Sequence, residues 1–143
     1  NTNTKSIKPD NVIKLLAPLL DNKNIYFLHF GGAGEEAAKH PQIISLQGML
    51  GWKEVIAVMS VCDRCVCIDS AILHIAQHLE LPTLSFWGPT RPDNILGEDP
   101  GVEYIETTLK CKGCNAYNCS NGQCMSKFNQ KTVERKLKSL IKG

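Results

Sequence analysis

The stretch Val61–Pro92, VCDRCVCIDSAILHIAQHLELPTLSFWGPTRP, constrains the fold more than any other part of the chain. It reads as strand, polar turn, short helix, second strand and a Gly-Pro turn. Val66 to Ile68 is a short apolar strand, and Ser70 to Leu79 is helical, with Ile72, Leu73, Ile75, Ala76 and Leu79 directed inward. Leu84 to Trp87 forms the next strand. The polar residues Asp69, Ser70 and His74 fall at the junction of strand and helix, where an open α/β sheet binds its ligand. A nucleotide-type ligand is the expectation.

The flanking sequence repeats the alternation. Asn11 to Leu20 reads as a helix that Pro18 kinks or ends. Asn24 to Phe30 is a near-continuous apolar strand, as a buried parallel strand should be. The glycines of GGAGEE then make a tight turn, and Glu35 to His40 begins a helical segment. Ile43 to Leu46 is a second strand. Gly51 to Met59 is a helix with Trp52, Val55, Ile56 and Met59 on one face. A loop covers 88–101, and Val102 to Ile105 suits a last strand. Strands alternating with helices at short spacing predict a Rossmann-like α/β domain, a parallel sheet flanked by helices. With 143 residues the chain can bury one core, so a single domain over 1–143 is expected. Within it, 1–10 reads as poorly ordered or linker, 106–126 as a cysteine-rich loop and 131–141 as a C-terminal amphipathic helix.

Charge and composition exclude some functions. A formal net charge of +2, with no basic block beyond the C-terminal run, argues against nucleic acid as a partner. No segment is apolar and long enough to span a bilayer. The first residues, NTNTKSIKPD, lack the apolar core of a signal peptide, so a cytoplasmic location is expected. The chain starts without Met, which suits a processed product or an excised fragment. Lys127, Lys131, Arg135, Lys136, Lys138 and Lys142 make the C-terminal helix basic. That face is either solvated or drawn to an anionic membrane surface, a peripheral contact.

The chemistry-bearing residues each have a plain reading. Asp69 and Ser70 can cap the free amides of the helix that follows, or leave those amides and the helix dipole to a phosphate. His74 is either a satisfied core histidine or a donor to a phosphate oxygen. No nucleophile elbow surrounds Ser70. GGAGEE carries only half of a dinucleotide fingerprint, and its acidic residues suit either ribose hydroxyls or a helix's first turn. Thr90 and Arg91 stand at the rim of the crevice, where Arg91 can pair with a diphosphate or sit in solvent. The seven cysteines form two groups: Cys62, Cys65 and Cys67, then Cys111, Cys114, Cys119 and Cys124. The second group has the spacing C-x2-C-x4-C-x4-C. Four thiolates at that spacing can hold zinc, and two local disulfides or four free thiols satisfy it as well.

Two motifs in order carry a resemblance. Asp69, Ser70, His74 and Ala76 fit DSGxxHxA, and Pro82, Thr83, Gly88, Pro89, Thr90 and Pro92 fit PTxxxxGPTxP. Leu46 and Gly48 supply a preceding LxG, and Cys111, Cys114, Cys124 and Met125 supply a closing cysteine pattern. Together they resemble the ADP-heptose:lipopolysaccharide heptosyltransferases, glycosyltransferase family 9, in the C-terminal, donor-binding half of a GT-B fold.

The resemblance implies an inverting glycosyltransferase of lipopolysaccharide biosynthesis. This chain would hold the nucleotide-sugar donor, ADP-heptose or similar, and would itself carry no catalytic residue and be inactive alone. Its partners would be an N-terminal acceptor-binding domain and a lipid-linked saccharide acceptor, at or near the inner membrane. By position it implies donor contacts from Asp69, Ser70, Ala71, His74, Glu36 and Thr90, and a phosphate-facing lysine, Lys5, with Lys8 as rival. It implies no metal and no separate cofactor, so zinc is not expected. The family glycine is Ala71 here, whose Cβ crowds a backbone meant to approach a phosphate. The first strand of the half is absent, which leaves a sheet edge open. Alternatives are a binding module that has lost catalysis, a nucleotide-sugar epimerase-like enzyme with its own catalytic residue, and a zinc-stabilised structural domain.

Overall fold

A computed structural model describes residues 4–143. Its elements run α1 (Pro9–Leu20), β1 (Phe27–His29), β2 (Ile43–Ser45), α2 (Trp52–Met59), β3 (Cys65–Ile68), α3 (Ala71–His78), β4 (Thr83–Trp87), β5 (Val102–Glu106) and α4 (Gln130–Lys142). All strand pairing between these elements is parallel. The order is β3-β4-β5 in one sheet, and β1 pairs with β2 in a second. Neither β1 nor β3 has a partner on its other side among the described residues, so the sheet is interrupted between them.

The strand period of two sorts the core into faces. Val66 and Ile68 of β3, with Leu84 and Phe86 of β4, pack with Leu15, Leu16 and Leu19 of α1 and with Val133 and Leu137 of α4. Cys65 and Cys67 face the other way, onto Val55 and Met59 of α2 and onto Ile72, Ile75 and Ala76 of α3. Helices therefore cover both faces. β4 is buried along its whole length, which marks it as the centre of its sheet. Each of Leu84 and Phe86 contributes roughly 1.5–3 kcal/mol by leaving water. The polar residues of β4 are satisfied internally. Thr83 Oγ1 donates to the Leu81 carbonyl, and Trp87 Nε1 donates to Ser85 Oγ at 2.8 Å.

Several local expectations need correction. Glu35 to His40 forms no helix. Gly34 is left-handed at φ 84°, and Pro41 disfavours helical backbone at His40, so too few residues remain to nucleate a turn. His40 instead makes an isolated bridge to Ile43. β1 is three residues long, because the backbone at Asn22 and Ile25 turns back and the Gln42 side chain takes both carbonyls. Pro18 lies inside α1 without ending it; Leu19 and Leu20, both buried, hold the last turn against the core. On α2 only Val55 and Met59 are buried, while Trp52 and Ile56 stand exposed.

Within residues 4–10, Ser6, Lys8 and Asp10 are exposed. Thr4 is buried and donates to the Ala116 carbonyl at 2.9 Å, and Pro9 and Asp10 open α1. Residues 1–3 lie outside the described part. α4 packs through Val133, Leu137 and Leu140, and its basic face is partly committed within the chain. Lys136 pairs with Glu103, and Lys138 with Glu134. Among the described residues no helix is long and apolar enough to cross a membrane.

Candidate functional site

The backbone leaves β3 at Ile68 and enters α3 at Ala71, so Asp69 and Ser70 sit at the C-terminal end of a parallel strand. Asp69 is the hub. Its Oδ2 accepts from Lys5 Nζ at 2.5 Å and from Thr90 Oγ1 at 2.8 Å, and its side chain is only 9% exposed. Three segments far apart in sequence therefore meet on one carboxylate oxygen: the residues before α1, the β3–α3 turn and the turn after β4. The Lys5 side chain retains 34% exposure.

With Asp69 Oδ2 engaged by Lys5 and Thr90, the simple helix-capping reading loses its acceptor. Ser70 is the N-cap residue of α3 in extended backbone, φ −157° and ψ 174°, and its hydroxyl caps no amide. The first backbone bond of the helix runs from the Leu73 amide to the Ser70 carbonyl. The amides of Ala71 and Ile72 thus begin the helix with no side-chain acceptor over them. Ala71 is exposed, so its methyl projects at that same end. His74 is exposed on α3, which removes the core-histidine alternative.

The turn after β4 is held from outside. The Gly113 amide donates to the Gly88 carbonyl at 2.9 Å, and the Asn115 amide donates to the Pro89 carbonyl. Arg91 does not enter the crevice. Its aliphatic stem and Nε lie over Gly113, so close that a Cβ there would meet Arg91 Cγ at 2.6 Å. Gly113 is also left-handed at φ 72°. The cysteine-rich loop is therefore the brace of the Thr90 turn, and through Thr4 and Ala116 it also fixes the segment that carries Lys5. Sequence reasoning missed this bracing; the Gly within CKGC was its one available sign.

Glu36 stands apart. It is exposed in the loop after β1 and forms no hydrogen bond or ion pair with Asp69, Ser70 or Thr90. Lys8 is likewise exposed and serves only as the backbone N-cap of α1. The structure thus brings Lys5, Asp69 and Thr90 into contact, sets Ser70 and Ala71 beside them in sequence, and leaves Glu36 without a contact to that group.

Two further groups are tuned by burial. His29, at the end of β1, has its pKa lowered by desolvation, partly offset by the charge of Glu35. Its Nδ1 is buried without a hydrogen-bond partner. Cys67, behind the site on β3, has its thiol pushed far up by its hydrogen bond to Cys65, by burial and by the nearby Asp69 carboxylate. Cys67 is thus held as a neutral thiol, unsuited to nucleophilic work.

Comparisons with known proteins bear on this arrangement. The family model described as glycosyltransferase family 9 (heptosyltransferase) matches residues 20–125. A curated relative, lipopolysaccharide heptosyltransferase 1 of Pseudomonas aeruginosa, is 30% identical over 86 residues, which is 60% of this chain and 22% of that protein. The solved structure of E. coli ADP-heptose lps heptosyltransferase II superposes with a TM-score of 0.71 at 19% identity, over 96% of this chain and 42% of that one. The chain thus spans well under half the length of either relative.

Proposed function

Since the chain belongs to glycosyltransferase family 9, the heptosyltransferases, we propose that it is the nucleotide-sugar-binding part of such an enzyme. Its donor would be ADP-heptose or a close analogue, and its acceptor a lipopolysaccharide-type saccharide. The observation that carries this reading is the uncapped start of α3 beside Asp69, Lys5 and Thr90. Two uncapped amides and the Lys5 side chain, 34% exposed and anchored to Asp69, would supply the donors and positive charge that a diphosphate needs.

In this reading Asp69 is a positioning residue. It holds Lys5 and Thr90 in place before the donor arrives, so the diphosphate meets a site already organised. Ser70, with its hydroxyl uncommitted to the helix, and His74, exposed on α3, supply further donors to phosphate or sugar. During transfer the acceptor hydroxyl attacks the anomeric carbon, and the bond to the diphosphate breaks. Charge then builds on the leaving nucleoside diphosphate, and the amides and Lys5 stabilise it there. A base supplied by another part of the enzyme would take the acceptor proton. Glu36 would serve the nucleoside end, away from the charged centre.

Ala71 favours a second reading, a module that binds nucleotide without supporting transfer. Its Cβ stands where the backbone should approach the phosphate most closely.

The test is titration of the chain with ADP, against UDP, GDP and CDP, by calorimetry and amide chemical shifts. Saturable binding that favours ADP, with shifts concentrated at Asp69–His74, supports the donor site. Shifts that cluster elsewhere, or equal weak binding of all four nucleotides, overturn it. ADP binding that persists in a full-length enzyme unable to transfer sugar selects the second reading.

A further inference from the structure

The cysteine-rich loop 106–126 leaves zinc, two disulfides and free thiols all open from its spacing, and the glycosyltransferase reading gives its thiols no task. The fold, however, brings Cys111, Cys114, Cys119 and Cys124 around a single cavity of about 20 Å³, walled on its other side by Thr4 and Pro89. All four are free thiols. Cys124 is buried, and the other three stand at the surface.

Three features suit this cluster to a soft metal. First, the loop is bent by left-handed residues, Gly113, Asn115 and Gly122, with φ between 52° and 72°. Such turns fold a short chain back on itself, so that cysteines far apart in the loop line one cavity. Second, a backbone N–H points at sulfur: the Gly122 amide donates to Cys119 Sγ at 3.4 Å. N–H donation stabilises the deprotonated, metal-binding form. Third, Arg91 lies against Gly113 and Lys110 adjoins Cys111 in sequence, two positive charges that offset the negative charge of a tetrathiolate centre.

As they stand, no three His, Cys, Asp or Glu side chains among the described residues are closed on one point.

We propose that Cys111, Cys114, Cys119 and Cys124 close on one zinc ion. Each thiol gives up its proton to solvent as its sulfur coordinates, so binding is proton-linked and strengthens as pH rises. Tetrahedral coordination by four protein sulfurs leaves no open position, so the centre is structural. Its effect on the rest of the fold follows from the bracing contacts. The loop holds Gly88 and Pro89 by backbone hydrogen bonds, and its Ala116 carbonyl accepts from Thr4 Oγ1, while the Cys124 thiol gives up its bond to the Thr4 carbonyl on coordinating. Zinc thereby fixes the two arms, Lys5 and Thr90, that converge on Asp69.

The metal test does not depend on the donor reading. The chain is purified under reducing conditions, its metal content is measured, and zinc is then replaced with Co²⁺. The expected result is about one zinc per chain and a cobalt spectrum with thiolate charge-transfer bands and intense tetrahedral d–d bands. Cys119→Ser should lose the metal, and Cys62→Ser, outside the cluster, should keep it. If the cluster variants do not fold, protection of four thiols from alkylation in the zinc-loaded wild type gives the same answer. Failure to take up zinc with all thiols reduced overturns the proposal. So does retention of full zinc by Cys119→Ser, or isolation of the cluster as two disulfides that reduction does not convert to a zinc-binding form. Unchanged ADP affinity on zinc removal would leave the metal site standing and reject only its link to Asp69.

Discussion

Replacing Lys5 by Met tests the hub of the candidate site, because it removes the charge and keeps most of the aliphatic stem. In the native protein both donors to Asp69 Oδ2 are supplied by the chain, Lys5 Nζ and Thr90 Oγ1. The carboxylate is 9% exposed and cannot fully rehydrate once the ammonium is gone. A hydrogen bond to a charged group is worth about 1.5–3 kcal/mol. Lys5 is 34% exposed, so solvent screening discounts that to about 1–2 kcal/mol. At roughly 2–4 °C per kcal/mol for a domain near this size, Tm should fall by about 2–8 °C. Lys8→Met, at an exposed position three residues on, should change stability by less than about 0.5 kcal/mol. Combined with Asp69→Asn, Lys5→Met should show a coupling of at least about 1 kcal/mol in urea denaturation. ADP affinity should fall about tenfold or more if the same ammonium meets the diphosphate. The reasoning is refuted if Lys5→Met and Lys8→Met are equally mild, or if Lys5→Met and Asp69→Asn are additive.

Gly88→Ala should destabilise by about 1–3 kcal/mol through overpacking, since the new Cβ would lie 2.7 Å from Met125 Sδ and 2.9 Å from Cys124 Sγ; an unchanged urea midpoint would refute that crowding. His29 has its pKa lowered in the folded state from an ordinary 6.5, so its contribution is fully present above 6.5 and is lost as pH falls below that value and through the lowered folded one. The urea midpoint should therefore drop as pH falls below 6.5, and His29→Gln should flatten part of that drop; an unchanged pH profile in the variant would exclude His29 as the cause. Ala71→Gly should raise ADP affinity if the methyl crowds the phosphate, and calorimetry showing equal or weaker binding would reject that role for it.

The resemblance and the structure also divide the site residues unequally. DSAILHIA and GPTRP could be placed from sequence because each occupies one turn beside one strand, where local pattern and backbone period decide position. Glu36 was assigned by motif position alone, and nothing in the fold carries it to Asp69. The choice between Lys5 and Lys8 lay beyond sequence, since both belong to one short segment and differ only in where α1 starts. Pro9 starts it, so Lys8 caps the helix in solvent and Lys5 is left to reach back to Asp69.

By itself the sequence determined the parallel α/β order, the buried β4 strand and the polar β3–α3 junction, because apolar period and turn residues are local properties. It overextended β1 and gave 35–40 a helix, because propensity carries no information about Pro41 acting together with Gly34, or about the hydrogen bonds that turn the chain at Asn22 and Ile25. Only the tertiary structure decided that Lys5 and Thr90 share one oxygen of Asp69, and that the cysteines enclose one space and brace both arms. Those contacts join residues 64, 21 and 112 positions apart. Their geometry is set by how helices pack over both faces of the sheet, and no window of sequence contains it.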